Sequence, residues 1–214
     1  GKRMEKLNSS LKNMVCVLVG VALVTGGLLA VVNNVTKDPK AAKAEQTLAE
    51  GIKSVMGTDK ITVSSTDSVN NNENGKDRLY IIHNVSDADS KPIGAAVETI
   101  GQGFGGDLKV LVGFSMDGKI LGYTILQHAE TPGLGAKAGE WFQKGQKGDI
   151  IGKELKSGDL KVTKDEKGVN SVDAITASTI TSRAFLNAVN DAYKTYAGKW
   201  KDGESGATKQ CKHN

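Results

Sequence analysis

Four hydroxyl side chains stand within the five positions 178–182: Ser178, Thr179, Thr181 and Ser182. A fifth, Thr176, lies just before them, and Asp173 opens the segment. The cluster falls where a C-terminal helix is expected to begin. A helix N-terminus presents unpaired N–H groups and the positive end of the helix dipole, a natural seat for phosphate. A helix cap needs one hydroxyl, and this segment has more. The residues alone leave open whether a phosphate there would be bound or bonded.

The second group is His128-Ala129-Glu130-Thr131-Pro132-Gly133-Leu134-Gly135-Ala136-Lys137. Pro-Gly and a second Gly after a strand demand a tight loop with exposed amides. Such amides, the Thr131 hydroxyl, Leu134 and the nearby Trp141 suit a planar, hydrogen-bonding ring. A structural turn with Trp141 in the core fits the same residues. Lys137 suits an anionic ring or a solvated surface equally, and His128 reads as a strand-end residue. Gly101–Gly106, GQGFGG, looks like a phosphate-cradling loop only superficially. No Lys-Ser/Thr follows it and a strand comes next, so it reads as a tight turn. Cys16 and Cys211 form no CxxC and no Cys/His cluster with the 3 His, so no metal centre is expected.

These groups need a scaffold. The chain has 214 residues, enough for one ordinary domain. Residues 14–32 form a run of 19 without a charge. As a helix it reaches about 28 Å, close to the ~30 Å hydrocarbon core of a bilayer. The run is longer than a signal peptide's apolar region and ends without a small-x-small site, so an uncleaved anchor is expected. Four basic residues precede it, against Lys37, Lys40 and Lys43 after it, and the topology expected is the N-terminus in the cytoplasm and the main domain outside. Lys2, Arg3, Lys6 and Lys12 are four of the 28 basic residues, and Glu5 is one of the 24 acidic ones. The rest is therefore nearly neutral, without the footprint of a nucleic-acid binder.

Residues 38–56 read as an amphipathic helix, with Ala41, Ala44, Leu48, Ile52 and Val55 at spacings of three and four. Residues 64–77 are polar and turn-rich and are expected to form a loop. Strands are expected at 79–85, 92–100, 108–115 and 119–127, with Asp117-Gly118 turning the last pair. A short helix is expected at Trp141 and Phe142. From 181 to 200, Ala184, Phe185, Ala188, Val189, Ala192 and Tyr196 share one helical face and belong in a core. The domains expected are a cytoplasmic 1–13, an anchor 14–32, an extracytoplasmic domain 33–200 and a polar tail 201–214. The fold class is α+β: antiparallel hairpins with flanking helices, after a single N-terminal transmembrane helix.

On the two groups the sequence resembles the FMN-binding subunits of the Rnf and Na⁺-pumping quinone reductase complexes, most closely the G-type FMN subunits of Rnf. The ETPGLG loop of that family is intact at Glu130–Gly135. Its flavinylation motif, Asp-x-x-Ser/Thr-Gly/Ala-Ala/Ser-Thr followed by x-Thr-Ser, falls on Asp173, Thr176, Ala177, Ser178, Thr179, Thr181 and Ser182. The commoner string is Ser-Gly-Ala-Thr, where this chain has Thr-Ala-Ser-Thr. A literal Ser-Gly-Ala-Thr occurs at Ser205–Thr208 with Asp202 at the right spacing, but without the downstream hydroxyls. It is read as a minor competitor.

The resemblance implies FMN held as a phosphoester on Thr179, made by a separate flavin transferase from FAD with Asp173 as its recognition element. It implies a ring lying against Thr131, Gly133, Leu134 and Gly135. It also implies an electron-transfer component of an ion-translocating ferredoxin:NAD oxidoreductase, working beside other subunits in the plasma membrane. Two further readings stand beside it. One is the FMN-carrying component of the Na⁺-translocating NADH:quinone reductase; the other is a flavin-free membrane scaffold.

Overall fold

A computed structural model describes residues 11–73 and 76–202. The chain divides into two compact units, Gly1–Gln46 and Thr47–Asn214. The boundary falls inside one long helix, α1 (Leu11–Met56). The expected anchor and the expected amphipathic helix are thus parts of one element. Its stretch Leu11–Lys37 is long and apolar enough to cross a membrane, and none of it is buried inside the protein. Cys16 lies there, exposed.

In the second unit five strands follow: β1 (Ile61–Glu73), β2 (Lys76–Asp87), β3 (Pro92–Gln102), β4 (Asp107–Ser115) and β5 (Ile120–Gln127). They pair in chain order as an antiparallel meander. Residues 64–73 and 76–77, expected in a loop, are therefore strand. Most of them belong to β1, which pairs with β2 from Ile61↔Asp87 to Glu73↔Lys76. An edge strand needs no apolar run, and polar side chains help blunt it against stray pairing. Asn74-Gly75 between the two strands carried a hairpin signal within that polar run. The other strands lie within three residues of their expected ends. Gly118, at φ +82, allows the tight turn between β4 and β5.

Beyond the sheet come the short helix α2 (Ala138–Trp141), a two-residue parallel pair β6 (Lys161–Val162) and β7 (Ser171–Val172), and α3 (Thr179–Asp202). α3 begins two residues earlier than its apolar spacing suggests. Period two sends alternate strand residues to opposite faces. One face, with Ile82, Val97, Val110, Val112 and Phe114, packs on Phe185, Val189, Ala192 and Tyr196 of α3. Phe142 stacks on Phe185 with ring centroids 4.5 Å apart. The opposite face, with Val85, Ala96 and Leu111, receives Ile52, Val55 and Met56 from the end of α1. The competing Ser205–Thr208 string, the tail beyond Asp202 and residues 1–10 lie outside the described residues.

Candidate functional site

The start of α3 is built by a turn. Ser178 N–H donates to Ile175 O at 3.0 Å, closing Ile175–Ser178. Ala177, third in that turn, has φ +63, as a type II turn requires. Ser178 then acts as the helix cap residue, its carbonyl accepting from Ser182 N–H at 3.0 Å. The Ser182 hydroxyl, fully buried, donates to Ser178 O and accepts from Ile175 N–H. It locks the turn onto the helix. Thr181, also buried, donates to Glu130 Oε2 at 2.8 Å. Two of the clustered hydroxyls are thereby engaged inside the protein. The Ser178 and Thr179 hydroxyls have no hydrogen-bond partner among the described residues, and both residues line an open cleft. Thr176 is exposed and stands outside that lining.

The 130–135 loop forms another wall. Leu134 N–H and Ala136 N–H both turn back onto Thr131 O, at 3.2 and 3.3 Å. Part of the amide supply expected for a ligand is thus spent on the turn itself. Gly133 takes φ +78, the left-handed region that glycine favours. Gly135 is required for space: a Cβ there would lie 2.2 Å from Glu130 Oε2 and 2.9 Å from Thr181 Oγ1. The short helix α2 that follows the loop is anchored by Tyr123, whose hydroxyl donates to Ala138 O at 2.7 Å and accepts from Phe142 N–H. Burial pushes the Tyr123 phenol well above its ordinary range, so it stays protonated and keeps donating.

Glu130 joins the walls. It is buried. One carboxylate oxygen accepts from Thr181 and the other from Gly105 N–H at 3.1 Å. A single side chain thus ties the 130–135 loop to the first turn of α3 and to the β3–β4 turn. Both oxygens of this buried carboxyl group are engaged, so the clasp leaves neither without a partner.

The result is a cleft of about 500 Å³. Its walls are Phe104, then Glu130, Thr131, Leu134 and Gly135, then residues 177–181. The two segments singled out in the sequence, 51 positions apart at Glu130 and Thr181, meet there. Gly133 and Lys137 stand outside the lining; Gly133 is exposed and Lys137 is at the protein surface beyond it. Asp173 is exposed too, and its carbonyl accepts from Trp141 Nε1 at 2.8 Å. Trp141 is therefore half-buried and fixes the approach to the hydroxyl segment; it is not a deep core residue. His128, exposed, accepts from Glu130 N–H at Nδ1. Phe104 and Ile180 were not singled out by their sequence. Their signal was weak: one aromatic among glycines, and one apolar residue among hydroxyls.

Among the described residues, no group of His, Cys, Asp and Glu could hold a metal ion. The cleft offers two unengaged hydroxyls at a helix start, a glycine loop and an apolar rim. That set fits a phosphate-bearing molecule with a flat apolar portion.

Comparison with known proteins agrees with this set. Residues 103–194 match the FMN-binding domain family. The chain is 33% identical over 180 residues to the G subunit of the ion-translocating oxidoreductase complex of Shewanella oneidensis, covering 80% of this chain and 82% of that one. It is 31% identical over 169 residues to the G subunit of the proton-translocating ferredoxin:NAD(+) oxidoreductase complex of Clostridium ljungdahlii, covering 79% and 82%. Among solved structures, the C subunit of the Na(+)-translocating NADH-quinone reductase of Parabacteroides distasonis has a similar fold. The TM-score is 0.53 at 20% identity, over 73% of this chain and 93% of that one.

Proposed function

This chain belongs to the family of G subunits of ion-translocating oxidoreductase complexes, and we propose that it relays electrons through FMN attached to Thr179 as a phosphoester. One observation supports the attachment site: of the two residues with unengaged hydroxyls in the wall of the shared cleft, Ser178 is buried and Thr179, the motif threonine, is the more exposed.

Each residue has a role. Thr179 Oγ1 replaces AMP on the riboflavin-side phosphorus of FAD, losing its proton to the transferase, with no change in electron count. The start of α3 stabilises the charge left on the phosphodiester. Ser178 stands beside it. Thr131, Leu134 and Gly135 border the ring, and Gly133 gives their loop its turn. Glu130, Thr181 and Ser182 position the walls. Asp173, held by Trp141 through its carbonyl, offers its carboxylate to the transferase. Lys137 is a surface cation near the loop. FMN supplies the electron steps, and the protein sets its surroundings. A covalent tether keeps the cofactor where free flavin is scarce. The chain works beside the other subunits of an ion-translocating ferredoxin:NAD oxidoreductase. It is anchored by a single pass in the plasma membrane with the 47–202 domain on the extracytoplasmic side.

The test is intact mass with peptide mapping of the full chain made beside a flavin transferase. The expected increment is FMN minus water on the peptide containing Thr179. Thr179→Val should carry none while keeping the wild-type melting curve. Flavin retained in that variant, or mapped to Thr208, overturns the site. A colourless wild-type chain favours the scaffold reading.

A further inference from the structure

We infer that Phe104 supplies the aromatic face on which the isoalloxazine ring of FMN rests, an assignment that depends on the attachment proposed at Thr179. Phe104 is 73% exposed, although it is large and apolar. It takes no part in either hydrophobic core. A lone exposed apolar residue needs no explanation. This one lines the cleft that holds Thr179, together with Leu134 and Ile180, which are 42% and 55% exposed. Three apolar side chains from three separate segments converge on one polar-walled cleft, the mark of a binding surface. Ile180 is the immediate neighbour of Thr179, so a group bonded to Thr179 begins at this apolar rim.

The turn carrying Phe104 is fixed from behind. Gly103 N–H donates to Gly106 O at 2.9 Å, and Gly105 N–H donates to Glu130 Oε1 at 3.1 Å. A Cβ on Gly103 would lie 2.0 Å from Glu130 Oε1, and one on Gly105 2.2 Å from Ala129 O. The glycines on either side of Phe104 therefore let the turn press onto 129–130. One large side chain remains open at the tip of this fixed backbone. A planar aromatic ligand gains more from such a side chain by stacking than from an aliphatic one of similar area.

A covalent tether separates occupancy from ring seating, and the experiment uses that separation. The full chain in detergent micelles is produced beside a flavin transferase as wild type, Phe104→Ala and Phe104→Tyr. Intact mass establishes equal FMN loading, and thermal melts establish an unchanged fold. Flavin fluorescence anisotropy decay and quenching by iodide are then read on each. The wild-type flavin should depolarise only with slow tumbling of the particle. Phe104→Ala should add a fast component and raise the iodide quenching constant severalfold, while Phe104→Tyr should match wild type. Equal decay and quenching in wild type and Phe104→Ala at equal loading overturn the assignment. A wild-type chain without FMN overturns the proposed attachment, and this assignment with it.

Discussion

Residue 177 shows what a one-residue departure costs. The resemblance marks it as a place where Gly is common, and here it is Ala. The structure gives the reason: its φ is +63, in the turn that launches α3. A residue with a Cβ pays about 1–2 kcal/mol in that region, and Gly gives back about 0.5–1 in chain entropy. Ala177→Gly should therefore stabilise the domain by about 0.5–1 kcal/mol, read as a higher denaturant midpoint at constant slope. An unchanged or lower midpoint would mean the strain is relieved elsewhere. Glu130 shows the opposite case. Thr181→Val removes one of its two donors and should cost about 1–3 kcal/mol, since a buried acceptor oxygen is then left without its partner. The motif pattern was legible here because hydroxyl and glycine positions are local signals. The division of labour among the hydroxyls was not. Only packing tells that Thr181 and Ser182 face inward to Glu130 and Ile175 while Thr179 faces the cleft.

At the scale of elements, the strands were legible where one or both faces are apolar and illegible where they are not. β1 from Ser64 to Glu73 is polar except for Val69 and reads as a loop, because its partner, not its own pattern, makes it a strand. A buried ion cluster crossing β1 to β4 was equally silent in the sequence. His83 Nε2 lies 2.8 Å from Glu98 Oε1, Lys109 Nζ bonds Glu98 Oε2, and Thr66 Oγ1 lies 3.1 Å from the other His83 ring nitrogen. Burial by itself would raise the Glu98 carboxyl. The hydrogen bonds from His83 and Lys109 outweigh it and hold the group below its ordinary 4.5. A carboxyl more acidic in the folded chain than in the unfolded one adds stability that is full above the unfolded value. That stability is lost as pH falls through the folded value. Wild-type stability should thus decline as pH drops below about 4.5, and Glu98→Gln should flatten that acid limb. Parallel limbs in urea titrations of the two proteins would show that the cluster does not set the acid response.

At the scale of the whole molecule, α1 serves two units, and the division point can be tested. Periodicity suggested two helices because the outer part has no polar stripe and the inner part has one. The backbone makes them continuous. The inner end is required for the sheet. Gly113 and Gly122 are register partners on β4 and β5, and a Cβ on them would lie 2.6 and 2.8 Å from Val55 O. The helix backbone rests directly on this glycine pair, while Ile52, Val55 and Met56 are buried beside Leu111. Burying one such side chain contributes about 1.5–3 kcal/mol, so the three together rival the ~5–15 kcal/mol by which a domain is stable. A chain begun at Thr47 keeps all three and should leave the membrane fraction with a cooperative melt close to that of the full chain. A chain begun at Thr58 loses them and exposes the apolar sheet face; it should melt far lower or aggregate. If both truncations melt alike, the end of α1 is an ornament on the sheet rather than its second layer. If neither folds, the outer half of α1 contributes to the domain as well as to the membrane.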